Sequence, residues 1–188
     1  MGASNPGAPW GPMLVRAAVA AAYGVLTIFW QDPTEAVLVY AGGLYLLFTG
    51  AALWPMASAA RGHGNIRTLL LVEAAAFVLA GAAILVAGSA EAFRVAAAAA
   101  LLIGGAIEVF LWSGQRKSFL PARDWLITGA AALVAGALVP VVYDLGVRAM
   151  LGVTGGAAII TAVIVAISAL GARHDSRTAA GDQAKAVN

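Results

Sequence analysis

The sequence predicts an all-α integral membrane protein, a six-helix bundle built from three parallel-related helical hairpins. Three observations lead there. Of 188 residues, 62% are hydrophobic and 11% charged, whereas a soluble domain carries about 45 to 50% apolar and about 25% charged residues. The chain therefore lacks the polar surface needed to face water all round. Second, the apolar residues fall into six runs, each near the roughly 20 residues that cross a hydrocarbon core about 30 Å thick. Third, no run alternates polar and apolar side chains with period two, as the strands of a membrane barrel do. Helices are the remaining way to span a bilayer with every backbone group satisfied.

The runs are taken in order. The first, 13–30, ends at Gln31-Asp32-Pro33-Thr34, and the second, 35–54, at a breaker-rich stretch from Pro55 to Asn65. The third, 67–88, and the fourth, 91–112, meet at Gly88-Ser89. Residues 113–121 lead to the fifth run, 124–143, and Asp144-Leu145-Gly146 separates it from the sixth, 147–170. Each boundary has turn or helix-stop chemistry. Residues 1–12 form a short cytoplasmic N-terminus and 171–188 a polar cytoplasmic tail expected to be disordered and too sparsely charged for a strong lipid-binding patch.

The first run is expected to be a retained span. Residues 1–12 hold no basic side chain and the apolar stretch exceeds a usual signal-peptide core, although Ala18-Val19-Ala20 resembles a cleavage site. Pro6 stands where a myristoylation motif needs Ser or Thr, and no cysteine is present for lipidation. The protein is read as crossing the membrane, not as anchored to it. The absence of cysteine also removes disulfides, thiolate metal sites and cysteine nucleophiles.

Orientation follows from the cations, which are retained on the cytoplasmic side during insertion. One side collects Arg16, Arg61, Arg67, Arg116, Lys117, Arg123, Arg173, Arg177 and Lys185; the other holds Arg94 and Arg148, each beside an acid, Glu91 and Asp144. Nine against two places both termini in the cytoplasm of a plasma membrane. Trp54, Trp112 and Trp125 then fall at the inner interface, and Trp30 and Tyr143 at the outer one. With 11 Lys and Arg against 9 Asp and Glu, the scattered cations make no nucleic-acid face.

An internal repeat organises the chain. Gly24, Gly81 and Gly136 precede the three outer turns, separated by 57 and 55 residues; Gly43 follows Gly24 by 19 residues, as Gly155 follows Gly136. In the middle copy Gly104 and Gly105 are displaced by a few positions. Glu35 and Glu91 follow the outer turns, and Trp54 and Trp112 close the returning helices. All three hairpins start and end on the same side, unlike the inverted repeats of many secondary transporters. Small residues supply close packing between helices in lipid. The ridges are Arg16, Ala20 and Gly24; Ala96, Ala100, Gly104 and Glu108; and a literal GxxxG at Gly152 and Gly156. Packing within the chain is the expected use of these glycines, and a homo-oligomer face the alternative.

Three hairpins with a late glycine in each odd helix, a short turn such as Phe29-Trp30-Gln31-Asp32-Pro33, Gly42-Gly43 or Gly104-Gly105 in the returning helix, and a basic loop such as Gln115-Arg116-Lys117 resemble the HdeD-type acid-resistance membrane proteins. The resemblance covers residues 12–171, with Asp124-Trp125-Leu126-Ile127-Thr128-Gly129 opening the third hairpin. Pro33 stands slightly late for the outer-turn proline of that pattern, and Ser89 and Asp144 occupy the other turns. The resemblance implies a small bacterial inner-membrane protein linked to acid and stress survival, without catalytic residues to transfer.

Arg16, Glu73 and Glu108 lie inside the predicted spans, the two acids roughly 7 to 9 Å within the cytoplasmic boundary at 1.5 Å per residue. An intramembrane charge costs on the order of 3 kcal/mol on insertion scales and is a site hypothesis by default. Arg16 can snorkel to the interface; a Glu has less reach. One reading is an ion-paired clasp between the first and second hairpins. The other is a proton-responsive site, because two acids share one cation. His63, in Arg61-Gly62-His63-Gly64-Asn65, and His174 lack partners at metal-ligand spacing, so no metal, cofactor or catalytic residue is expected. The expected role is therefore non-enzymatic. A small-solute or proton-linked channel or transporter, which a continuous polar line would favour but for which Thr27, Thr49 and Thr161 are only scattered candidates, and an accessory subunit of a larger membrane complex are the alternatives.

Overall fold

The computed structural model describes residues 10–60, 64–115 and 122–187. Among the described residues six helices follow in order: α1 Trp10–Phe29, α2 Glu35–Ala59, α3 Gly64–Ala87, α4 Ala90–Gln115, α5 Ala122–Val141 and α6 Val147–Val187. A single 3-10 turn, Tyr143–Leu145, leads into α6, and there is no strand among the described residues. All six helices are long and apolar enough to cross a membrane. Their outward faces carry Val86 at 89% exposure, Phe29 at 76% and Ile167 at 64%. A perimeter of that chemistry requires lipid as its solvent, and the chain is a multi-pass membrane protein.

Local chemistry explains the short turns at 30–34, 88–89 and 142–146, which define one end of the bundle, the turn end. The Val37 amide donates to the Thr34 hydroxyl at 3.4 Å, and the Ala92 amide to the Ser89 hydroxyl at 3.2 Å, capping α2 and α4. Gly88 and Gly146 have φ of +65° and +89°, a backbone conformation that side chains with a Cβ rarely adopt. Across this end the Glu35 carboxylate accepts from the Ala90 amide at 2.6 Å, tying the first turn to the start of α4. Arg94 pairs with Glu91 and lies 4.7 Å from the centre of the Tyr143 ring, reaching the third turn. Desolvation, followed by the Glu91 carboxylate, raises the Tyr143 phenol above its ordinary value, so it stays neutral through the neutral pH range.

Most helix ends fall within a few residues of the sequence reading, and two differ by more. Pro55 does not end α2, which continues to Ala59, and Pro140 lies inside α5. A proline removes one helical hydrogen bond, which neighbouring helices make tolerable in membrane bundles. The tail expected to be disordered is instead the continuation of α6, which runs 41 residues. Residues 171–187 include five alanines and two arginines and lack proline, so the helix can continue where hydropathy stops. The loop residues Arg61, His63, Arg116 and Lys117 lie outside the described residues.

The helices close into a ring. α2 packs most extensively on α3, α4 on α5, and α6 on α1, while the pairs joined by the short turns touch less. Each extensive seam is antiparallel and lined with glycine. A Cβ on Gly81 would lie 2.6 Å from the Gly43 carbonyl, and one on Gly50 2.6 Å from the Ala74 carbonyl. On the next seam Gly105 faces the Gly129 carbonyl at 2.7 Å, and Gly136 faces Leu102 at 2.9 Å. On the third, Gly24 faces Ile159 and Gly155 faces Thr27. The literal GxxxG does not take part: a Cβ at Gly152 or Gly156 would meet nothing within 4 Å, and both positions are exposed. Gly155, one residue away from Gly156, is the packing glycine of α6.

Candidate functional site

Where the six helices converge, toward the end opposite the short turns, the structure brings Arg16, Glu73 and Glu108 together. Arg16 sits six residues into α1, Glu73 nine into α3, and Glu108 seven before the end of α4. At 1.5 Å per residue that is roughly 9 to 14 Å from the helix ends, deeper than the sequence boundaries place them. The three are 5%, 1% and 2% exposed, so Arg16 does not snorkel outward. It turns inward instead, and its Nη2 donates to Glu108 Oε1 at 2.5 Å, while Glu73 Oε1 lies 3.8 Å away. A guanidinium sealed from water keeps its charge compensated by pointing at the nearest carboxylate.

Glycines make the room. A Cβ on Gly104 would lie 2.5 Å from the Phe77 ring and 3.5 Å from Glu73 Cγ, and one on Gly129 would lie 2.9 Å from Glu108 Cβ. Gly104, predicted to pack helices, therefore also admits the Glu73 side chain. Thr128 completes the Glu108 environment: its hydroxyl lies 2.5 Å from Glu108 Oε2 and 3.0 Å from the Asp124 carbonyl. Asp124 in turn accepts from the Ser168 hydroxyl on α6.

A small cavity lies among these groups. Arg16, Tyr45, Thr49, Glu73, Phe77, Glu108, Thr128 and Thr161 line it, with contributions from every helix, and it has room for about one water-sized sphere. Four buried polar atoms have no hydrogen-bond partner among the described residues: Arg16 Nε, Thr49 Oγ1 and both carboxyl oxygens of Glu73. Toward the turn end, the rings of Tyr23 and Tyr45 stack at 4.3 Å and 7°. The Tyr23 and Thr154 hydroxyls are 2.7 Å apart, and Thr154 also contacts the Met150 carbonyl at 2.9 Å.

Of the sequence candidates, the three charges meet, Thr49 and Thr161 join them, and Thr27 does not, its hydroxyl donating to the Gly24 carbonyl at 2.8 Å. Trp125, three residues into α5, is buried in a satellite cluster with Ala57, Leu70, Ile107 and Leu111. His174 is exposed on α6. Tyr45 and the contact of the Thr128 hydroxyl with Glu108 escaped the sequence reading; the signal available for Thr128 was its one-turn spacing from Asp124, on the face that α5 turns to Glu108. Compared with family models, curated proteins and solved structures, the chain matches none of them.

Proposed function

We propose that this is a non-enzymatic stress-response protein of the acid-resistance type in a bacterial plasma membrane, with both termini cytoplasmic and a central carboxyl pair that responds to protons. The observation that carries the reading is Glu73, whose two carboxyl oxygens are buried without a hydrogen-bond donor beside the Arg16–Glu108 pair. One guanidinium and two carboxylates leave a net charge of −1 in an apolar interior, which is costly. A single proton brings the cluster to neutrality. The resemblance to HdeD-type proteins supports the physiological role, and the three glycine-lined seams, alternating with looser contacts around the ring, support three repeated hairpins.

Acid challenge of cells tests this. Deleting the gene is expected to lower survival, and Glu73→Gln is expected to reproduce the loss at unchanged protein level, because Gln fixes the cluster neutral. Equal survival of the deletion strain overturns the acid-resistance role. A proton-linked transporter is the second reading, favoured by the convergence of all six helices on one polar cavity. The cavity size speaks against solutes larger than water. Saturable uptake of small acids or ions by proteoliposomes at pH 5 and 7 would move the assignment to transport.

A further inference from the structure

We infer that the small cavity at the centre of the bundle binds a single water molecule, held by Arg16, Thr49 and Glu73, whose hydrogen bond to Glu73 reverses when that carboxylate takes a proton. The binding stands on geometry. The reversal rests on the proton-responsive reading proposed above and gives that site its ligand.

The two acids differ in what surrounds them. Glu108 Oε1 accepts from Arg16 Nη2 and Glu108 Oε2 from the Thr128 hydroxyl, both at 2.5 Å, so each of its oxygens has a donor. Glu73, at 1% exposure, has a donor for neither oxygen among the described residues. Arg16 Nε and the Thr49 hydroxyl are buried and unpartnered in the same way. Thr49 departs here from Thr128 and Thr154, whose hydroxyls reach back to the carbonyl one turn earlier at 3.0 and 2.9 Å. That backbone contact is the usual local outlet for a hydroxyl in a helix. Thr49 does not make it, and its side chain lines the cavity.

The residues that carry all four unpartnered atoms thus line one cavity, with room for about one water-sized sphere. Arg16 Nε can only donate, the Glu73 carboxylate can only accept, and the Thr49 hydroxyl can do either. Water, with two hydrogens and two acceptor sites, matches that set. It accepts from Arg16 Nε and Thr49 and donates to Glu73. Three such bonds are about what a buried water makes to groups otherwise left unsatisfied. A monovalent cation would balance the net charge of the cluster, but it would leave the Arg16 Nε hydrogen facing a positive charge. An apolar occupant would leave all four atoms unpaired.

The charged and titratable groups that face Glu73 are Arg16 from α1, Tyr45 from α2 and Glu108 from α4; α5 and α6 bring the hydroxyls of Thr128 and Thr161. A proton on Glu73 turns that carboxyl into a donor toward the cavity. The water then accepts from Glu73 and from Arg16 Nε, and the hydrogen it gave to Glu73 turns to Thr49 Oγ1. Water and Thr49 exchange roles, and the same ligand serves both charge states.

The test uses the full-length protein in lipid vesicles and infrared difference spectra between neutral and mildly acid pH, recorded in ordinary water and in water enriched in oxygen-18. The Glu73 carboxyl band is the one that Glu73→Gln removes. Beside it, the wild type is expected to show an O–H stretching band of a non-bulk water that moves to lower frequency with oxygen-18 and is absent from Glu73→Gln. Thr49→Val is expected to lose the water band and keep the carboxyl change, and Thr49→Ser to keep both. Should Thr49→Val fail to fold, the wild-type isotope shift decides. A Glu73 band with no oxygen-18-sensitive partner overturns the bound water and leaves the proton-responsive reading intact. Absence of a Glu73 band overturns that reading, and the reversal with it. Thermal unfolding in sodium, potassium or choline chloride at one ionic strength tests the competing ligand. Equal melting in all three is expected; stabilisation by sodium or potassium that Glu73→Gln abolishes would put a cation in the water's place and overturn the proposal.

Discussion

Arg16 and Glu108 show what a single residue pair has to do in an apolar solvent. Both charges are buried, and each is the main compensation of the other at 2.5 Å. Removing one partner leaves a buried, unpaired charge, so Arg16→Ala is expected to cost on the order of 3 kcal/mol of stability. Replacing both with apolar residues of similar volume, Arg16→Met with Glu108→Leu, is expected to recover most of that loss. Thermal unfolding in detergent checks both; an Arg16→Ala protein that melts with the wild type would show that the pair does not hold the helices together. The membership of this cluster was legible in the sequence, because an ionisable residue inside an apolar run is conspicuous. Its wiring was not. Which carboxylate takes Arg16, and that Thr128 stands behind it, depends on helix rotation, which apolar runs with no polar face leave undefined.

At the scale of elements, six helices could be counted from hydropathy, and their ends were legible where Thr34, Ser89, Gly88 and Gly146 supply caps and turns. The missed ends, at Ala59 and in α6, lie where helix propensity continues after hydropathy or a proline appears to stop it. Glycine gives the sharper lesson. Gly24, Gly43, Gly81, Gly104 and Gly136 were read as packing positions and meet their neighbours closely, whereas the most motif-like pair, Gly152 and Gly156, faces outward. Spacing alone shows that glycines share a face; it does not show which face the neighbour occupies. Accordingly, Gly155→Leu is expected to disrupt the α1–α6 seam and lower the yield of folded protein severalfold. Gly152→Leu is expected to leave it unchanged. Size-exclusion chromatography of the detergent-solubilised variants separates these outcomes, and equal behaviour of the two variants would contradict the seam.

At the scale of the whole molecule, the ring has as many extensive seams as turns, and they alternate. Seam contacts, not chain connectivity, therefore hold the bundle. Two fragments, residues 1–121 and 122–188, are expected to reassemble when co-expressed, because the cut leaves the α4–α5 and α6–α1 seams available on both pieces. Co-purification through a tag on one fragment measures it, and recovery of the tagged fragment alone would place the stability in the covalent loop.

The closure of α6 on α1 also orders the protein's biogenesis. The first helix enters the bilayer carrying a guanidinium whose partner lies 92 residues downstream, and a glycine groove whose filler, Ile159, is made later still. Until α4 emerges from the ribosome, Arg16 must be sheltered by the insertion machinery, by headgroups at the interface or by a membrane chaperone. The nascent chain is thus most vulnerable to quality-control proteases early in synthesis, and the last helix acts as the keystone that ends that exposure.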